Sequence, residues 1–231
     1  MSKRKTLTAI CAAVLVCAMS VAGTLAYLTA KQDDTKAVKN TFTAVEGLID
    51  PDGPASPDPK VPDDKGLNKG FYLVETAVKL ENGVYKLDEI ASKYVLENTY
   101  DKVVPNMEIP KDPKLTVDLN DGVSAYVFVK VEDKTGGKLT YTMDSKWTEV
   151  TGVSSLGGAK LYVYNNAPVA GTADTEVEGV SILNGDKVTA AADLTSSLTA
   201  GNNTLTFSAY VCQSASFADA KTAFETCFPA N

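Results

Sequence analysis

The chain has 231 residues, of which 44% are hydrophobic, 22% charged and 8% aromatic, and its net charge is −7. This composition excludes a disordered chain and a protein with many membrane spans, and the acidic charge argues against nucleic acid or anionic lipid as a partner. The sequence contains no histidine, which excludes Ser-His-Asp and Cys-His catalysis, histidine-ligated zinc proteases and histidine pH switches.

The first 26 residues have the layout of a secretory signal peptide. Three basic residues at positions 3–5 precede an uncharged run at 6–22, and the small residues Thr24 and Ala26 lie just before the expected cut between Ala26 and Tyr27. A retained membrane helix is the alternative, since about 20 uncharged residues just span a bilayer. Both interpretations place the rest of the chain outside the cell, so we predict a secreted, extracellular or cell-surface protein.

The residues around the cut resemble a known export signature. The elements are Gly-Thr-Leu-Ala-Tyr at 23–27 and Asn-Thr-Phe-Thr at 40–43, and later segments at 104–113, 124–130 and 210–224 are also similar. The sequence resembles the TasA and camelysin family of Gram-positive bacteria, which is exported through a SipW-type signal peptidase. The resemblance implies export and a β-rich extracellular domain, and by itself it does not fix the activity. We expect this domain to self-associate into fibres, with matrix or cell-wall components as further partners.

Residues 27–49 form an N-terminal segment that we expect to drive assembly, with Tyr27, Leu28, Val38 and Phe42 as its apolar anchors. A free extended segment can add a strand to the sheet edge of a neighbouring copy. In the family that the chain resembles, fibres are thought to form by such strand donation. The alternative is that the segment folds back as an edge strand of its own domain and leaves a monomer.

Residues 50–70 depart from the family pattern, in which the first core strand follows directly. This segment holds five of the ten prolines, and its only large aliphatic residues are Val61 and Leu67. A segment with so little to bury does not offset its ordering entropy, which predicts an exposed linker or loop. Its aspartates lack the spacing and the closing glutamate of a calcium loop, so no metal site is predicted.

Residues 71–231 form the predicted extracellular domain, and their hydrophobic pattern is mostly of period two. Alternation is longest at 125–132 and 205–211. Shorter runs bounded by Gly, Asn or Pro lie at 71–80, 139–143, 161–164 and 177–183. Six or more short strands predict a mainly β fold, either a β-sandwich or a jelly-roll-like domain.

Two short helices are predicted among these strands. Residues 87–94 have apolar side chains at helical spacing over barely two turns. The C-terminal helix is expected to be capped by Ser216, with an apolar stripe from Phe217 to Phe228, and to stop at Pro229.

Cys212 and Cys227 are the only cysteines after the predicted signal peptide. A disulfide persists outside the cell and would stabilise the fold by about 3 kcal/mol. We expect this bond to join the last strand to the C-terminal helix, with two buried thiols as the alternative.

Aromatic residues also leave two interpretations open. Tyr126 shares a strand face with Phe128, as Tyr162 does with Tyr164, and Trp147 is the only tryptophan. An exposed row of rings can stack on sugars or on another subunit, whereas a covered row packs against a neighbouring sheet or helix.

No catalytic constellation is evident. The only Ser-x-x-Lys match is Ser2 to Lys5, inside the signal peptide, and no HExxH motif is present. A catalytic carboxylate pair of the glycosidase type is the remaining alternative, since the chain has 29 acidic residues. We therefore expect neither enzymatic activity nor a cofactor, and we predict a secreted structural protein that resembles biofilm-matrix or surface-fibre subunits. The alternatives are a camelysin-like surface metalloendopeptidase and an extracellular glycan-binding adhesin.

Overall fold

The computed structural model describes residues 41–44, 48–50, 52–54, 70–88, 94–172, 174–194 and 203–229. The predicted signal peptide, its cut between Ala26 and Tyr27, and the anchors Leu28 and Val38 lie outside these residues. In the described part of the chain, no helix is both long enough and apolar enough to cross a membrane.

The described residues form fifteen β-strands and one α-helix, so the predicted mainly β fold with a C-terminal helix is confirmed. The strands are β1 (Thr41–Ala44), β2 (Phe71–Thr76), β3 (Val78–Glu81), β4 (Val84–Leu87), β5 (Tyr94–Val95), β6 (Glu108–Pro110), β7 (Lys114–Val117), β8 (Ser124–Asp133), β9 (Leu139–Thr140), β10 (Trp147–Glu149), β11 (Lys160–Tyr164), β12 (Val169–Ala170), β13 (Val177–Ser181), β14 (Lys187–Ala190) and β15 (Leu205–Gln213). The helix α1 is Ala220–Cys227. Short 3₁₀ turns lie at Ser154–Leu156 and Asn184–Asp186.

The largest sheet is built around the long antiparallel pair β8 and β15. Its order is β1-β15-β8-β11-β10, and β12 also pairs with β8. The β8–β15 ladder runs from Ala125 opposite Gln213 to Asp133 opposite Leu205. At the end of the sheet, β1 lies parallel to β15, whereas the other strands pair antiparallel.

A second sheet, in the order β13-β7-β2-β5, faces the first in a sandwich-like arrangement. Smaller sheets, β6-β14-β9 and the β3–β4 hairpin, complete the described part of the domain. The inward residues of the two larger sheets belong to one buried cluster, which includes Phe71, Leu73, Leu115, Val117, Val127, Val129, Phe207 and Ala209. Period-two alternation explains this core, because every second side chain of a strand points to the same face.

The outer face of the largest sheet is covered by α1. Tyr126 and Phe128 point to this face and are buried in a second cluster with Ala223 and Phe224 of the helix. The rings of Phe128 and Phe224 meet edge to face, with centroids 5.3 Å apart. The helix therefore completes a third layer of the domain.

The predicted start of the C-terminal helix was wrong by a few residues. The N-cap is Asp219, whose Oδ1 accepts a hydrogen bond from the Thr222 amide at 2.7 Å, and not Ser216. The Phe217 amide donates to the Ser214 carbonyl instead, so residues 214–217 form a turn before the helix. Aspartate is as strong a cap as serine, and local turn bonding decides between the two.

The helix predicted at 87–94 is contradicted at both ends, because Leu87 ends β4 and Tyr94 begins β5. Residues 89–93 lie outside the described residues. Asn82 and Gly83 have φ values of 51° and 80°, which is the geometry of a tight hairpin turn. This turn places Leu87 opposite Val78, and hairpin pairing therefore overrides the helical spacing at Leu87.

The ends of the proline-rich segment meet at the base of a loop. The Gly70 amide donates to the Pro54 carbonyl at 2.9 Å, and the Asp118 amide donates to the Gly70 carbonyl at 2.6 Å. Residues 55–69 lie outside the described residues. Leu48, on the other side of the loop, is only 5% exposed and belongs to the main core. The chain before the loop and the chain after it therefore share one core.

Candidate functional site

The sheet edge formed by β1 is the candidate site. β1 has four residues and ends the largest sheet, where Thr41 lies opposite Ser208 and Ala44 opposite Val211. Phe42, the one predicted assembly anchor among the described residues, lies opposite Ala209. In the single chain, these four residues therefore follow the fold-back alternative and pair with their own domain.

The strand beneath β1 is firmly built into the domain. Phe207, Ala209 and Val211 are fully buried on its core side, and Ser208 is buried on the other. One edge of β15 pairs with β8 along its whole length. In the part of the chain that the structure describes, the opposite edge pairs with β1 at only four of the nine residues of β15. A long strand that is paired along its whole other edge thus carries a short edge strand, and a sheet edge of this kind can also accept a strand from another chain.

The end of β15 next to this edge is fixed to α1 by a disulfide. The predicted partners Cys212 and Cys227 are bonded, with Cα atoms 6.4 Å apart. Both cysteines lie in the cluster beneath the helix. The bond therefore holds α1 on the outer face of the sheet, one residue beyond Val211, the last partner of β1.

The aromatic residues offer no open row of rings. Tyr126, Tyr162 and Tyr164 are each 8% exposed and Trp147 is 5% exposed. Trp147 Nε1 donates to the Ser181 carbonyl at 2.9 Å, and its ring lies against Tyr164. Of the two interpretations, the covered row is the one observed. These side chains do not present faces on which a sugar can stack.

A carboxylate at the loop base was not singled out by the sequence. Burial raises the pKa of Asp118, the hydrogen bond from Thr175 lowers it, and the charges of Glu176 and Asp50 raise it further. Glu176 also forms a hydrogen bond, in which its Oε2 accepts from the Leu119 amide at 2.8 Å. Among the described residues, no group of three acidic or cysteine side chains is arranged to hold a metal. The carboxylates bind backbone and hydroxyl groups here, so their observed role is to hold loops together.

A buried ion pair was also missed by the sequence. Lys111 precedes β7, Glu75 lies in β2, and the Lys111 Nζ is 2.8 Å from each carboxylate oxygen of Glu75. The two residues are 36 positions apart, and single charges in the sequence give no sign that they meet. Only the strand pairing of β2 with β7 brings them together.

No family model matches the sequence, and searches of curated proteins and of solved structures also gave no match. The resemblance drawn from residues 23–43 therefore stays a prediction. Function has to be inferred from the chain's own geometry.

Proposed function

We propose that this protein is a secreted structural subunit, similar to biofilm-matrix and surface-fibre proteins, that assembles by strand donation. In the assembly, Thr41–Ala44 of one copy pair with β15 of the next. The observation that most supports this function is the short parallel pairing of β1 at the end of the largest sheet. A signal peptidase of the SipW type and matrix or cell-wall components are the further partners that this proposal implies.

Exchange between copies conserves the pairing seen within one chain. The same backbone groups of β1 and β15 bond, and only the chain to which β1 belongs changes, as in domain swapping. Each copy both donates and accepts a strand, so a head-to-tail arrangement that does not close produces a fibre. The free energy of the exchange therefore depends on the connection to β1 and on protein concentration.

The boundary of the exchanged segment lies between Ala44 and Leu48. Leu48 is buried, and its carbonyl accepts the Asn120 amide at 2.9 Å, so it is anchored to the domain that donates. Three residues separate the two positions in the sequence. Short connections favour exchange, because folding back onto the same domain leaves them little freedom.

Removal of the signal peptide would determine when assembly begins. Before the cut between Ala26 and Tyr27, the donor segment is tied to an apolar run that is held at the membrane. After the cut, residues 27–44 are free to reach a second copy. Assembly would thus be confined to the outside of the cell.

The test compares a protein that starts at Tyr27 with one that starts at Gly47. The shorter protein retains Leu48 and the loop base, so its core stays complete. We expect the longer protein to sediment as oligomers and to show filaments by electron microscopy, and the shorter one to remain monomeric.

A matched control replaces Phe42 and Thr43 by proline in the longer protein. Adjacent residues point their amides to opposite sides of a strand, so the double change removes at least one hydrogen bond to β15. We expect filaments to be lost. Equal behaviour of the two proteins, whether both monomeric or both filamentous, would overturn the proposed function.

A further inference from the structure

The Lys111–Glu75 pair lies in an interior that is nearly closed to solvent. The Lys111 side chain is 10% exposed and the Glu75 side chain is fully buried. The ammonium group also lies 5.8 Å from the ring centre of Phe207. Both charges have therefore left water, which is costly even when they are paired.

The backbone on both sides of the pair is fixed. The Lys111 amide donates to the Asp186 carbonyl at 2.8 Å. Next to Glu75, the amide and the hydroxyl of Thr76 donate to Asp112, at 2.9 and 2.6 Å. The fixed backbone at both positions therefore holds Lys111 Nζ close to the Glu75 carboxyl group.

One oxygen of the Glu75 carboxylate has no hydrogen bond. Lys111 Nζ donates to Oε1, whereas Oε2 is buried, lies 2.8 Å from the same nitrogen and accepts none. A buried carboxylate oxygen without a donor is unusual in a folded protein. Oε2 is the atom that would leave if the Lys111 nitrogen formed a bond to the Glu75 carboxyl carbon.

We propose that Lys111 and Glu75 condense into an intramolecular amide bond. A proton first passes from the Lys111 ammonium to the carboxylate, which leaves a neutral amine and a neutral acid. The amine nitrogen then forms a bond to the Glu75 carboxyl carbon, and the bond from that carbon to Oε2 breaks. Oε2 leaves as water with two of the three ammonium protons, and the third stays on the amide nitrogen.

Two effects favour this condensation. A nucleophile held in contact with its target has an effective concentration of about 10⁵–10⁸ M, which two separate molecules in solution do not approach. The product also replaces two buried charges with one neutral amide, so the desolvation cost of the ion pair disappears. No oxidant, metal or cofactor is needed, because the step only releases water.

The bond would close the chain between β2 and the start of β7. It would enclose the β3–β4 hairpin, β5 and β6 in a covalent loop, so a pull on the chain ends could not extend them. Such a bond suits a protein that bears load, but it does not depend on strand donation and can be tested without it.

The test is the mass of the mature protein and of its tryptic peptides. We expect an intact mass about 18 Da below that of the disulfide-bonded sequence, one water for one condensation. In the digest, residues 70–79 should be joined to residues 103–114, because trypsin does not cleave after an acylated lysine. The joined peptide is decisive, since dehydration at Asp52 or Asp121, each followed by glycine, changes the mass equally.

Two variants serve as controls. Lys111→Arg keeps the positive charge without an amine that condenses in this way, so the mass deficit and the joined peptide should vanish. If that variant does not fold, the paired change Glu75→Leu with Lys111→Met removes both charges and should give the full mass in a folded protein. A wild-type protein of full mass, or a deficit located in another peptide, would overturn the proposal.

Discussion

The raised pKa of Asp118 depends on residues from distant parts of the chain. It follows β7, and its surroundings come from the loop base at Asp50 and from Thr175 and Glu176. Burial and the neighbouring charges raise its pKa, so the folded state favours the protonated carboxyl group more than the unfolded state does. At neutral pH the ionised group therefore lowers the free energy of unfolding.

This leads to a pH-dependent prediction for Asp118→Asn. At neutral pH, we expect the variant to be more stable than the wild type, because asparagine can accept the Thr175 hydrogen bond without the charge. Since the folded pKa is raised, the wild type regains this stability as the pH falls through that pKa, and the difference should disappear under acid conditions. Chemical unfolding at a series of pH values measures this difference in the free energy of unfolding.

Asp101→Asn is the matched control. Asp101 is exposed and its charge is not among those that raise the pKa of Asp118, so the variant changes the net charge equally without relieving the buried carboxylate. If both variants shift stability by the same amount at every pH, the account of Asp118 is wrong.

The element α1 shows which local features can be predicted from the sequence and which cannot. The apolar stripe of Phe224 and Cys227 identified the helix, because helical spacing persists there and Pro229 follows. The cap was assigned to the wrong residue, since Ser216 and Asp219 are both good caps and only the turn at Ser214 separates them.

We predict that Asp219→Ala lowers the unfolding temperature by a few degrees, whereas Ser216→Ala leaves it nearly unchanged. The first variant removes the acceptor of the Thr222 amide and leaves that donor without its cap. The disulfide to Cys212 keeps the helix attached, so we expect partial loosening of α1 and not global unfolding. Thermal denaturation followed by circular dichroism compares the two variants, and equal shifts would show that Asp219 does not act as the cap.

The strands illustrate the same limit on what can be predicted. The long alternating runs predicted β8 and β15 almost residue for residue, because each strand has one buried apolar face and is long enough for period two to be unambiguous. The helix predicted at 87–94 is wrong at its two ends, because the hairpin turn at Asn82 and Gly83 places Leu87 in β4 and Tyr94 begins β5.

At the scale of the whole molecule, period two predicted a mainly β domain but not the arrangement of its sheets. The parallel pairing of β1 with β15 joins residues more than 160 positions apart in the sequence, and nothing local to Thr41–Ala44 specifies that partner. The Glu75–Lys111 contact depends on strand register in the same way. Long-range pairing is thus the part of the fold that had to come from the structure.

The central claim is that β1 pairs with β15 of another copy, and mixing two variants that each carry one added cysteine beside the Cys212–Cys227 disulfide tests it most directly. Thr41→Cys and Ser208→Cys place one new thiol on each of two directly opposed positions. The two variants, each starting at Tyr27, are mixed, allowed to assemble, oxidised and separated on a non-reducing gel. We predict a covalent dimer that contains one copy of each variant and that does not form when β1 carries the double proline change. If the mixed dimer is absent while a protein with both cysteines forms the bond within one chain, β1 stays on its own domain and strand donation is contradicted.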